Sequence, residues 1–212
     1  MIKTLAQKMC VFVTAATCLI SSATMAQSDT LAQMPAGQYD LDLEHASIVW
    51  KVSHFGFSTY PGRFVDFDVD LSLDPQDFSN SSVVVLIDAN SIQTAYPSPE
   101  KEDFDQVLAN EWFLAEEHPK IHFESSSVSK LDGNQFVIDG TLTMAGKSGP
   151  VQLNATFNKA TTKHIFKGKP LIGFSATTTL DRTQWGISKY APGIGAEVSI
   201  EIEGEFIYNA GE

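Results

Sequence analysis

Residues 50–73, WKVSHFGFSTYPGRFVDFDVDLSL, decide the fold class. From residue 65 to residue 73, Val65, Phe67, Val69, Leu71 and Leu73 alternate with Asp66, Asp68, Asp70 and Ser72. Side chains leave a strand on opposite faces with period two, so this run has one dry face and one face in water. On a helix the same apolar residues would be scattered around the circumference. Upstream, Ile48, Trp50, Val52 and His54 share one parity of an earlier strand, and Tyr60-Pro61-Gly62 carries the residues of a turn between the two. The stretch is a one-sided antiparallel hairpin, with strands expected over 46–57 and 63–73.

Outward from this hairpin the same period recurs. Tyr39, Leu41 and Leu43 alternate with Asp40, Asp42 and Glu44 in a first strand. Residues 83–89 are β-branched and apolar, which predicts a fourth strand buried on more than one side. The period then changes. Ser98 before Pro99 predicts a helix start, and Phe104, Val107, Leu108, Trp112 and Ala115 recur at helical steps, so one helical segment is expected over about 99–117. Pro119 ends it. Strands resume with Ile121 and Phe123, turn at Asp132-Gly133, and return through Phe136, Ile138, Leu142 and Met144. A turn over 146–150 leads to Val151, Leu153, Ala155 and Phe157. A lysine-bearing loop without acids, 158–170, precedes Ile172, Phe174, Ala176, Thr178 and Leu180. After a Gly- and Pro-containing loop over 185–195, Val198, Ile200, Ile202, Phe206 and Tyr208 form the last strand. The class is all-β, an antiparallel barrel of about eight strands with one helical insertion. The outward faces are too regularly acidic for a second sheet to cover them, and a closed barrel of this size can hold one small ligand.

The chain of 212 residues opens with Lys3 and Lys8, an apolar run over 9–20 and small residues over 22–26. That order predicts a signal peptide over 1–26, followed by a loose tail over 27–38 and one domain over 39–210. The apolar run is shorter than the roughly 20 residues of a spanning helix, so no stable membrane insertion is expected. Cys10 and Cys18, the chain's two cysteines, both lie in the leader, so the exported domain carries no disulfide and is expected in a periplasm. Beyond the leader, 12 basic residues stand against 26 acidic ones. Such a balance excludes nucleic acid as a general partner.

Five motifs in order resemble those of the YceI-like family, the periplasmic lipocalin-like polyisoprenoid-binding proteins. They are Tyr39 to Gly56 in YDLDLEHASIVWKVSHFG with Gly62-Arg63-Phe64, then Asn110-Glu111-Trp112-Phe113 leading to His118-Pro119-Lys120-Ile121-His122-Phe123. Next come Gly140-Thr141-Leu142-Thr143-Met144 with Ala145-Gly146-Lys147, then Leu180-Asp181-Arg182-Thr183-Gln184-Trp185-Gly186, and last Glu197-Val198-Ser199-Ile200-Glu201-Ile202. The resemblance implies a lipocalin-like barrel whose apolar interior holds a long isoprenoid chain, as a polyprenyl phosphate or an isoprenoid quinone. It implies a binding protein rather than an enzyme, with no cofactor. Where the family often has an Arg-Asp and a His-Leu pair on the helical segment, this chain has Glu102-Asp103 and Val107-Leu108. A head-group contact through that arginine or histidine therefore has no counterpart here.

Parity places Trp50, Phe67, Phe123, Phe136 and Phe174 inside, either as a ligand-lining surface or as a filled core. Trp112, Phe113 and Trp185 are expected near the mouth, with ordinary helix-to-barrel packing as the alternative. His54 shares an inward parity, as a structural histidine or a head-group contact. Arg182 beside Asp181 suggests a local ion pair, yet with Arg63 it is the best candidate for a phosphate head, because only arginine offers a bidentate fork. His118 and His122 have metal-like spacing, but Pro119 breaks the helix that would align them, so no metal site is expected. Asp66, Asp68 and Asp70 lack the glycine and glutamate of a calcium loop. Gly173-Phe174-Ser175-Ala176-Thr177 fails as a nucleophile elbow at its last position. The expected partner is an isoprenoid lipid or quinone. A homodimer is left open, and an interaction or stress-response module with a filled core is the alternative function.

Overall fold

The computed structural model describes residues 31–211; the leader expected over 1–26 lies outside them. Eleven strands form one sheet: β1 (Gly37–Leu41), β2 (Ser47–His54), β3 (Ser58–Phe64), β4 (Phe67–Leu73), β5 (Ser82–Asp88), β6 (Ile92–Gln93), β7 (Lys120–Lys130), β8 (Gln135–Met144), β9 (Lys147–Thr161), β10 (Leu171–Asp181) and β11 (Ile194–Asn209). All pairings are antiparallel. Eight strands close a ring in the order β1-β4-β5-β7-β8-β9-β10-β11, and β1 pairs back to β11. The expected lipocalin-like all-β barrel is what the chain forms. Closure works because β11, paired with β10 along one edge, serves two neighbours on the other: its residues 206–209 pair with β1, while residues from Ile194 to Glu203 pair with β2. From β2 the sheet runs on through β3 to the short β6.

Alternation holds along β4, where Phe67, Val69, Leu71 and Leu73 are buried and Asp68 and Asp70 are exposed. It does not extend back to Val65. Phe64 and Phe67 are both buried, so parity slips at residues 65 and 66, where the chain leaves the β3 ladder and joins that of β5. Tyr60-Pro61-Gly62 is not a turn either. Those residues lie within β3, opposite Val52, Lys51 and Trp50, and the reversal comes between His54 and Ser58, with Phe55 and Gly56 at positive φ. β3 meets β6 only at Arg63 and Phe64, so Pro61 lies on an open edge that tolerates a missing N–H. The strand β5 is not buried on both sides: Leu86 is 43% exposed on the outer wall.

The expected helix is shorter than its pattern. It begins at Phe104, with Asp103 rather than Ser98 accepting the capping hydrogen bond from the Gln106 amide, runs to Val107, and continues as a π-helical turn over Leu108–Trp112. Leu114 then takes positive φ. Rings pin this segment against β3, Phe104 on Tyr60 at 6.1 Å and Phe113 on Phe64 at 5.5 Å. At the other end of the barrel, the described part of the expected tail is not loose. Leu31 and Met34 are buried, Gln76 Nε2 donates to the Ala32 carbonyl at 2.9 Å, and the Tyr39 hydroxyl donates to the Pro35 carbonyl at 2.7 Å.

Candidate functional site

Inward parities of the strands enclose two adjoining spaces. The upper one, toward loops 54–58, 95–103 and 186–193, has a volume of about 570 Å³. The lower one is about 100 Å³. Ile48, Val85, Leu153 and Ile202 line both and form a waist between them. The upper wall is aliphatic and aromatic, including Leu142, Val151, Leu180, Val198 and Ile200, and the helical segment closes one side of it with Phe104, Leu108, Trp112 and Phe113.

Among the residues singled out from sequence, Trp50, Trp112, Phe113 and Phe123 line the upper chamber, and Phe67, Phe136 and Phe174 line the lower. Trp185 lines neither. It is buried against the wall, its Nε1–H donating to the Leu142 carbonyl at 3.1 Å and its ring facing Gly149. This tryptophan anchors the turn after β10 to strands β8 and β9. Tyr60, Phe64, Tyr96 and Phe104 also line the upper chamber, although sequence reasoning did not pick them out as lining. The turn chemistry of Tyr60-Pro61-Gly62 hid the first, and the parity slip at residues 65 and 66 put Phe64 on the wet side of the expected strand, while the helical spacing of Phe104 was a legible signal. Among the described residues, the Trp50 Nε1–H is the one buried side-chain donor with no acceptor.

Polar candidates separate by depth. His54 stands at the exposed end of β2, on the rim, with its ring against Phe55 at 5.0 Å. Arg63 is outside the cavity, exposed on β3, with Nη2 donating to Gln93 Oε1 at 3.0 Å. Arg182 is buried and lines the upper chamber, but it makes no ion pair with Asp181. Asp181 instead accepts from the Thr183 amide and hydroxyl. The Arg182 guanidinium donates to backbone carbonyls: Nε to Gly195 at 2.8 Å, Nη1 to Ile187, and Nη2 to Lys189 at 3.2 Å and Ile194 at 2.8 Å. It also faces the Trp112 ring at 5.2 Å, a cation–π contact. Burial pushes its pKa down, and the nearby Asp181 charge works in the opposite direction.

The potential metal ligands that come together among the described residues are Asp42, His45 and Glu205, not His118 and His122. At that cluster Lys167 Nζ stands 3.1 Å from Asp42 Oδ2, so a cation already faces the carboxylate. The His118 ring lies instead against Gly146.

A YceI-like domain model matches residues 39–206. The chain belongs to the YceI-like family. A UPF0312 protein of Vibrio cholerae is 30% identical over 171 residues, covering 80% of this chain and 87% of that one. A UPF0312 protein of Pseudomonas putida is 32% identical over 177 residues, covering 81% and 88%. Among solved structures, BcnA of Burkholderia cenocepacia matches with a TM-score of 0.68 at 22% identity, covering 78% of this chain and 99% of that one. A polyisoprenoid binding domain from Saccharophagus degradans, implicated in plant cell wall breakdown, matches with a TM-score of 0.59 at 13% identity, covering 81% and 98%. At these identities the structural likeness is one of fold.

Within this YceI-like barrel the rim near the helical segment is acidic where the family resemblance implies a basic side chain. Glu102 lines the mouth. The Lys189 ammonium is bonded to Glu111 across the mouth; that hydrogen bond raises its pKa most, and Glu102 adds to the shift. Tyr190 beside it packs on Trp112 at 6.2 Å, so the loop after β10 and the helical segment meet over the cavity.

Proposed function

We propose that this protein binds a long-chain isoprenoid lipid, a polyprenyl lipid or an isoprenoid quinone, inside the barrel and carries or buffers it without chemical change. The observation that carries this reading is the apolar upper chamber of about 570 Å³, extended past a waist by the lower one. Its volume lies within the range of roughly 300–1,000 Å³ typical of small-molecule sites. The filled barrel of the alternative reading would leave no such space. Each methylene taken from water contributes about 0.8 kcal/mol, offset by immobilising the chain. The polyisoprenoid binding domain of Saccharophagus degradans shares the fold, which supports the same ligand class.

A binding role rather than a catalytic one is supported by where the titratable groups stand. His54 and Glu102 are at the rim, and the Arg182 donors are committed to carbonyls. The signal-peptide pattern of residues 1–26 supports a periplasmic setting, and among the described residues no helix is long and apolar enough to cross a membrane. The test is purification from the native host followed by solvent extraction and mass spectrometry. A co-purifying isoprenoid is expected. A lipid-free protein that also fails to take up added polyprenyl lipids and quinones would overturn the proposal.

A further inference from the structure

We infer that the cargo carries an uncharged, hydroxyl- or carbonyl-bearing head group, and that Glu102 at the mouth selects against phosphorylated lipids. This rests on the lipid-binding reading above and narrows its ligand class.

A phosphate head at the mouth would need a cation with donors to offer, and the cations near this cavity are already engaged. Arg182 is the one arginine in the lining, and both N–H groups of Nη2, one of Nη1 and that of Nε point at backbone carbonyls. The paired Nη donors of a bidentate fork are therefore not both available to a phosphate, and four carbonyl dipoles surround the charge. Lys189 faces Glu111 and, farther off, Glu102. Arg63 is outside, bonded to Gln93. What the rim itself contributes is the Glu102 carboxylate, on a chain whose formal net charge is −12. The other hydrogen-bonding side chains in the lining are neutral groups or His54: Tyr60, Tyr96, Tyr190, Thr178 and the indole N–H groups of Trp50 and Trp112. Such groups match an alcohol or a ketone oxygen. They do not neutralise a phosphate.

The test uses a matched pair, geranylgeraniol and geranylgeranyl monophosphate, titrated against the mature protein while tryptophan emission is followed. Two like charges at a partly hydrated mouth are expected to weaken the phosphate by about tenfold at low salt, and the gap should shrink as salt is added. Because the alcohol is also favoured by its lower solubility, the diagnostic quantity is how the affinity ratio responds to position 102. Glu102→Lys should narrow or invert the ratio, and Glu102→Gln should give an intermediate value. Glu102 is exposed, so these variants are expected to fold, as their thermal melts would verify. A wild-type protein that binds the phosphate as tightly as the alcohol would overturn the inference, as would a ratio indifferent to Glu102→Lys. Binding of neither lipid, nor of a quinone of similar length, would instead overturn the lipid-binding reading and this inference with it.

Discussion

Gly62 lies so close beneath the indole of Trp50 that a Cβ on it would stand 2.0 Å from Trp50 Cζ2. The two residues face each other across β2 and β3, and the missing side chain of one makes the seat for the ring of the other. Gly62→Ala should therefore push the indole out of its seat. Overpacking of this kind costs about 1–3 kcal/mol, which a urea denaturation curve would resolve. Trp50 lines the upper chamber, so a shift in tryptophan emission should accompany the loss. An unchanged emission spectrum with wild-type stability would contradict this placement.

The waist gives a length test. Val85 lines both chambers, so Val85→Phe should obstruct passage from the upper to the lower one. The expected outcome is a shorter maximum chain: short prenols still bind, while long ones lose affinity relative to wild type. A series of prenols in a competition assay would reveal the break. Equal losses at every length would mean that the lower chamber takes no part in binding.

Arg182 is expected to matter for stability through its carbonyl cage. Arg182→Lys keeps the charge but cannot reach four acceptors in that fork geometry. Losing hydrogen bonds from a charged donor and leaving buried carbonyls without partners should cost about 2–4 kcal/mol, read as a lowered urea midpoint. The loop over 186–193 should also gain protease sensitivity. A variant of wild-type stability would show that the cage is dispensable.

Acid should destabilise the fold through Asp42 and Asp88. For Asp42, burial is the largest influence and raises the pKa, but hydrogen bonds from Lys167 and His45 outweigh it and hold the carboxyl below its ordinary 3.8. For Asp88, the Asn90 amide is the leading cause of a lowered value, with Lys120 adding to it against the effect of burial. Groups with depressed folded pKa values contribute their full stability above the unfolded value and lose it as pH falls through the folded one. Stability should therefore decline as the pH drops below about 4. Asp42→Asn should be less stable than wild type at neutral pH, and the difference should close in strong acid. Denaturation midpoints across an acid series would test both statements.

Much of the barrel was legible because a wall with one wet face writes itself as a period of two. The aspartates at 66, 68 and 70 and the glutamates at 197, 201 and 203 marked the outside, and their apolar neighbours marked the lining. Legibility failed where a distant partner overrode local chemistry. Pro61 and Gly62 have turn residues' identities, but Trp50 needs the glycine and an open strand edge admits the proline. Arg182 stands beside an aspartate in sequence, yet its partners are carbonyls brought in by the chain's fold from Ile187 to Gly195. Trp185 looked like a loop aromatic, and only the approach of Gly149 and the Leu142 carbonyl makes it a wall anchor. The acid at Glu102 is plain in the sequence, but its place over the cavity depends on how the loop before the helical segment folds.

The helical segment patches the upper wall beside β3, and ring contacts with Tyr60 and Phe64 hold it there in place of a strand ladder. Parting those rings breaks no strand-to-strand hydrogen bond, whereas threading a chain between any two ring strands would unzip several. At this one place the upper wall is thus held by side-chain contacts, ring packing together with the hydrogen bonds from Thr94 to Asp105 and from Lys189 to Glu111, and not by a ladder. Loosening this segment would therefore widen the upper chamber while leaving the eight-strand ring closed throughout.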